Sequence, residues 1–247
     1  MNGFKTLGGG ACGCAACLGA DDQSTALALP RRRFLAAGAA LMTGGGAMLA
    51  ARGARAEAGL APDAAIARLM AGNDRVVSHA LTSFDEDLRL LRQANAGGQE
   101  PFAAVLSCAD SRVPVELVFD ASIGQVFVTR VAGNIATSDI IASLEYGAAV
   151  LGVRAIVVMG HEGCGAVKAA IAGKAVPGQI STLYPDLRAA VNQAGPDVEA
   201  TAKANARIQA DLLSTASPVI AGMIKDGSLK VVAAYYALAT GKVTLLS

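Results

Sequence analysis

Apolar positions along this chain follow two different periods. Over residues 62 to 78, PDAAIARLMAGNDRVVS, Ile66, Leu69, Met70 and Val77 recur at the spacing that gathers them on one helical face. FDEDLRLLRQAN at 84 to 95 repeats the pattern, with Leu88 and Leu91 opposite a charged face, so two amphipathic helices are predicted ahead of the first strand. Four short apolar runs follow: FAAVLS at 102 to 107, QVFVTR at 125 to 130, RAIVVMG at 154 to 160 and LKVVAAYY at 229 to 236. Three of them are near-continuous rather than alternating, which suits strands buried on both faces of a mainly parallel sheet. Between the runs, TSDIIASLEYGAAVLG at 137 to 152 opens on a Thr/Ser cap and stops at Gly152, and GAVKAAIAG at 165 to 173 stops at Gly173. Further helices are expected from 180 to 226, interrupted at Pro185, Pro196 and Pro218. The predicted fold is a single α/β domain: a mainly parallel β-sheet flanked by helices, with amphipathic helices at its amino-terminal end.

Polar residues break the pattern where strands end. SCADSRVPVE at 107 to 116 puts Cys108, Asp110 and Arg112 directly after the first apolar run, and GHEGCGAV at 160 to 167 puts His161 and Cys164 after the third, at a helix entry. Open α/β sheets bind ligands outside the carboxyl ends of their strands, and parallel strands bring those ends to one edge. Cys108 and Asp110 can therefore meet His161 and Cys164 despite the intervening chain. Two thiolates, an imidazole and a carboxylate form a donor set that suits zinc better than magnesium or calcium. Arg112 is placed to hold Asp110 in a bidentate pair that orients it and keeps it ionised.

Each residue alone has another reading. Cys108 and Cys164 could form a disulfide or pack as small hydrophobes, and His161 could be a satisfied polar residue at a turn. GHEGCG could be a phosphate loop, yet its glycines run G-x-x-G-x-G, the reverse of the dinucleotide fingerprint. Their joint placement at two strand ends favours a metal centre. A noncatalytic zinc-binding or redox protein would share the ligands but has no use for Asp110 and Arg112. His79, at the end of a helix with polar flanks, is assigned no role.

Composition bears mainly on the amino terminus. The 247 residues suffice for one well-buried domain, and the mean hydropathy of +0.44 is inflated by residues 1 to 56. There PRRRFLA at 30 to 36 sets arginines before an uncharged stretch, FLAAGAALMTGGGAMLA, followed by the small-x-small site Ala54-Arg55-Ala56. This describes a twin-arginine (Tat) export signal cleaved after Ala56; a membrane anchor is the other reading, but 17 residues rich in Gly and Ala are short for a bilayer span. Residues 57–247 then form the mature domain, with 15 basic and 18 acidic residues, a net charge of −3 that offers no footing for polyanions. The chain has no tryptophan and no basic stripe interleaved with aromatics, which excludes the usual nucleic-acid footprint. Cys12, Cys14 and Cys17 fall in the leader, with no histidine or fourth cysteine near them to close a tetrahedral site.

SCADSRVPVELVFD (107–120), IGQVFVTRVAGN (123–134), SLEYGAAVLGV (143–153) and VVMGHEGCGAV (157–167), with a weaker echo in KVVAAYYALATGKV (230–243), resemble the β-class carbonic anhydrases. The resemblance implies zinc-dependent reversible hydration of carbon dioxide to bicarbonate and a proton by a zinc-bound hydroxide. It implies zinc held by Cys108, His161 and Cys164, the fourth position taken by water or, in a closed form, by Asp110. Asp110 and Arg112 would form the family's dyad, Arg112 drawing the aspartate off the metal. It further implies a homodimer or a larger even-numbered oligomer, and a small apolar substrate pocket including Phe127. A related zinc hydrolase of carbon disulfide or carbonyl sulfide would share these ligands. Many members carry a glutamine after the FD pair, where this chain has Ala121. A regulatory bicarbonate site that uses a tryptophan three residues before the first cysteine is not expected, because Val105 stands there.

Overall fold

A computed structural model describes residues 59–83, 98–174 and 176–247. The predicted helix at 84 to 95, the export signal and Cys12, Cys14 and Cys17 lie outside the described residues. Among those described, a five-stranded sheet runs in the order β2-β1-β3-β4-β5. Its strands are β1 (Ala103–Ser107), β2 (Val126–Arg130), β3 (Ala155–His161), β4 (Lys230–Ala237) and β5 (Lys242–Leu246). The first four pair in parallel and β5 closes the sheet antiparallel to β4. Every residue of β1 and of β3 is buried, as expected of central strands covered on both faces.

Among the described residues the helices are α1 (Pro62–Val77), α2 (Val115–Val118), α3 (Ser138–Ala149), α4 (Gly165–Ala172), α5 (Tyr184–Ala194), α6 (Val198–Ala216) and α7 (Pro218–Lys225), with a 3-10 turn at Ile180–Leu183. Two starts are capped by side chains: Asp197 accepts from the Ala200 amide at 2.7 Å, and Ser217 accepts from the Ile220 amide at 3.1 Å. Pro185 falls where the 3-10 turn gives way to α5. It lies in the first turn of α5, where its missing N–H costs nothing. β5 and α2 carry no clear signature in the sequence. Only Val243 of β5 is buried, so this edge strand has no apolar run, and α2 is a single turn.

Alternation along the strands divides the core into two layers. Val105, Val157 and Met159 face Ile66 and Leu69 of α1, whereas Leu106, Ile156 and Val158 face Leu144, Ala206, Leu213 and Ile220 from α3, α6 and α7. Glycine sets the approach of α6 to the sheet: a Cβ on Gly160 of β3 would stand 2.8 Å from the Ala202 carbonyl oxygen. On the other face, buried Asn73 ties α1 to its surroundings. It donates to the carbonyls of Val118 at 2.9 Å and Gly241 at 2.8 Å, and accepts from the Val243 amide at 2.8 Å. Among the described residues no helix is long and apolar enough to cross a membrane.

Candidate metal centre

The parallel register explains how distant sequence segments meet. Ser107, the last residue of β1, pairs with Met159 of β3, so the chain leaving β1 at Cys108 emerges beside His161. Gly163, at φ 64°, turns the backbone after β3 and delivers Cys164 to the start of α4. The ligand atoms of Cys108, His161 and Cys164 all lie within 4.8 Å of one another, and all three residues are buried.

The geometry within this group fits a metal ion. The two sulfurs are 4.0 Å apart, far from the roughly 2.05 Å of a disulfide and near the roughly 3.8 Å that two thiolates subtend on a tetrahedral zinc. Both cysteines are free thiols. His161 Nδ1 lies 2.9 Å from the Glu162 carbonyl oxygen, which can only accept. That contact assigns the ring hydrogen to Nδ1 and leaves an unprotonated Nε2 aimed at the sulfurs. Nε2 is fully buried without a hydrogen-bond partner, an arrangement costly in a core and ordinary in a metal ligand.

Charge is stabilised at Cys108. The hydrogen bond shared with Cys164, opposed by burial and aided by the Gly133 amide and the Asp110 backbone, lowers the pKa of the Cys108 thiol. Cys164 is pushed the other way by the hydrogen bond it makes to Cys108 and by burial. The two sulfurs therefore titrate as a pair rather than as separate thiols. The Gly133 N–H donates to Cys108 Sγ at 3.3 Å.

Asp110 stands at the rim. Arg112 donates to it three times: Nε to Oδ1 at 2.9 Å, Nη2 to Oδ2 at 2.7 Å, and the backbone amide to Oδ1 at 2.9 Å. The hydrogen bonds from Arg112 hold its carboxyl well below the ordinary carboxylate range. Its Oδ2 is 3.9 Å from His161 Nε2, close to the ligand group yet outside the convergent set of three. Asp110 and Arg112 are thus paired, with the aspartate held on the arginine.

Arg130, the last residue of β2, joins the centre without having been singled out by the sequence. Its Nε donates to the Cys108 carbonyl at 3.0 Å and its Nη2 to the Asp110 carbonyl, pinning the backbone that carries both residues. An arginine closing an apolar run beside the strand that leads to Cys108 was the available signal. Phe127, expected in a substrate pocket, pairs with Ala104 well before the strand end. It packs on Tyr146 at 6.4 Å between ring centroids and lies under Gly147 of α3. His79, exposed and at φ 58°, sits past the end of α1 and takes no part in the centre.

Residues 103–243 match the family described as carbonic anhydrase. A Mycobacterium tuberculosis protein named carbonic anhydrase 2 is 34% identical over 196 residues, covering 74% of this chain and 92% of that protein. A carbonic anhydrase of Mycolicibacterium smegmatis is 35% identical over 160 residues, covering 60% and 76%. Among solved structures, a tetrameric β-carbonic anhydrase from Sordaria macrospora superposes with a TM-score of 0.60 at 27% identity, over 64% of this chain and 87% of that one. The Coccomyxa β-carbonic anhydrase in complex with acetazolamide gives 0.57 at 29% identity, over 66% and 78%.

Proposed function

The chain belongs to the β-class carbonic anhydrase family, and we propose that it hydrates carbon dioxide reversibly to bicarbonate and a proton using zinc held by Cys108, His161 and Cys164. The observation that carries this reading is the convergence of three buried ligand atoms, one of them an unpartnered imidazole nitrogen, beside an arginine-held carboxylate. Two sulfurs and a nitrogen select zinc over hard cations. When bound, zinc supplies Lewis acidity that brings the pKa of a water ligand from 15.7 towards about 7.

The protein's own groups do the rest. Asp110 is ionised and acceptor-only, so it takes a hydrogen bond from the attacking water and leaves that oxygen's lone pair free for the substrate carbon. Arg112 holds the carboxylate in this orientation, outside the convergent set of Cys108, His161 and Cys164 that would hold the metal. Because its pKa is depressed, Asp110 does not store the released proton at neutral pH, and the proton passes to solvent or buffer.

Two further readings accompany this one. The sequence PRRRFLA and the Ala54-Arg55-Ala56 site support export through the Tat machinery to the periplasm, or otherwise out of the cytoplasm, after folding and zinc loading. The tetrameric Sordaria relatives support an even-numbered homo-oligomer. Elemental analysis of the purified protein tests the central reading. One zinc per chain, lost in Cys164→Ala together with hydration activity, is expected; absence of stoichiometric zinc, or a fully active Cys164→Ala, overturns it.

A further inference from the structure

We infer that Asn205 and Gln209, buried amides one turn apart on α6, are positioning residues that hold the 133–136 loop so that the Gly133 N–H reaches the Cys108 sulfur. The inference rests on the metal-centre reading above and extends it to a helix that contributes no ligand.

Gly133 is gripped at both ends. Its N–H donates to Cys108 Sγ at 3.3 Å, and its carbonyl accepts from Asn205 Nδ2 at 2.8 Å. It adopts φ 80°, and an added Cβ would press on Ala166 and Leu187 at 3.3 Å, so neither its conformation nor its space admits a side chain easily. Three residues on, the Ala136 N–H donates to Gln209 Oε1 at 2.8 Å. Gln209 Nε2 in turn donates to the Asp186 carbonyl at 3.2 Å and to Asn205 Oδ1 at 3.3 Å.

The polarity of this chain is fixed. An amide N–H can only donate and a carbonyl can only accept, so Ala136 demands the oxygen of Gln209 and Gly133 demands the nitrogen of Asn205. The contact between the two side chains then runs in the one direction that satisfies both. Asn205 is fully buried and Gln209 nearly so, where an unpaired amide is costly. The close approach of Ala202 to Gly160 sets the distance of α6 from β3, and hence of both amides from the loop.

An N–H aimed at a thiolate fixes the orientation of that ligand and tempers its donation to the metal, the role that outer partners play around metal sites. A side chain that only filled the core would stabilise the fold without reaching the ligand field. The two roles separate in cobalt-substituted protein, where thiolate-to-cobalt charge-transfer absorption reports on the sulfurs directly.

The test compares the parent with Asn205→Leu, with Gln209→Met, and with Thr201→Val. Thr201 serves as the control because it is equally buried on α6, and its hydroxyl bonds the Gly195 carbonyl at 3.0 Å, away from the loop. Charge-transfer spectra and the rate of metal loss to excess chelator are recorded, with circular dichroism verifying the fold. Asn205→Leu is expected to alter the charge-transfer band and to speed metal loss by about 10- to 100-fold. Gln209→Met should give a smaller change of the same sign, and it carries the test if Asn205→Leu does not fold. Thr201→Val should leave both readouts at parental values even where it lowers the melting temperature. Folded Asn205→Leu and Gln209→Met proteins with parental spectra and release rates overturn the inference, as does a Thr201→Val that shifts both readouts equally. A parent that shows no thiolate-to-cobalt band refutes the metal-centre reading itself and this inference with it.

Discussion

Gly160 precedes His161 on the central strand, and replacing it with alanine tests how α6 sets the geometry of the centre. Its backbone is ordinary extended strand, so alanine is conformationally acceptable and removes about 0.5–1 kcal/mol of the glycine's entropic disadvantage. The obstacle is space. The new methyl carbon would sit 2.8 Å from the Ala202 carbonyl oxygen, whereas ordinary contact begins at 3.4 Å. The atom it meets is helix backbone, so α6 must retreat by roughly half an ångström or β3 must bend. Because the obstacle is backbone, the cost falls in the upper part of the overpacking range, about 2–3 kcal/mol, leaving a net loss of about 1–2.5 kcal/mol after the entropic gain. For a domain of this size the melting temperature should fall by about 2–10 °C. The same retreat stretches the 2.8 Å contact between Asn205 and Gly133, so metal should also leave faster. Thermal unfolding and chelator-driven metal loss measure the two consequences. A Gly160→Ala protein as stable as the parent, with unchanged metal release, would refute the claim that this contact fixes the helix.

Other substitutions address separate parts of the structure. Asp110→Asn should keep the metal, whose three convergent ligands it leaves intact, while lowering kcat/KM for hydration by about 10²–10⁴-fold through loss of the charged acceptor; metal analysis and stopped-flow kinetics check both. Asn73→Leu strands three backbone groups of α2 and the β4–β5 hairpin, at about 1–3 kcal/mol each before the gain from added apolar area, and a net loss of about 2–5 kcal/mol is expected in denaturant titration. Asp120 is buried, which alone would raise its pKa, but hydrogen bonds from Arg75, Ser83 and Thr82 outweigh burial and hold it well below the ordinary range. Its contribution to stability is therefore complete above the unfolded value of about 4 and is lost as pH falls through the depressed folded value. Asp120→Asn should be less stable than the parent at pH 6, and the gap should narrow in acid; an equal gap at both ends of that range would contradict the assignment.

How much of this was legible in the sequence depends on how each feature announces itself. The four parallel strands were readable because burial on both faces leaves near-continuous apolar runs, as in AAVLS and AIVVMGH. β5 was not, since an edge strand with one buried residue differs little from a loop, and its place is set by pairing with β4. Cys108, Asp110, Arg112, His161 and Cys164 stood out as polar residues interrupting apolar strands, and the sheet register brings them together. The supporting residues were hidden by their ordinariness. Asn73, Asn205 and Gln209 sit on helices where an amide reads as solvent-facing, and only the fold shows each of them turned inward onto backbone groups. Arg130 falls between these cases, visible as a charge at a strand end and assignable only once its carbonyl partners are known.

The most direct test of the central claim is stopped-flow hydration of carbon dioxide by the purified protein as isolated, after removal of metal, and after addition of one equivalent of zinc. The expected result is catalysed hydration that disappears with the metal, returns with zinc, and is not restored in Cys164→Ala. Hydration at the uncatalysed rate by fully zinc-loaded protein across pH 6 to 9, or activity that survives complete removal of metal, would contradict it.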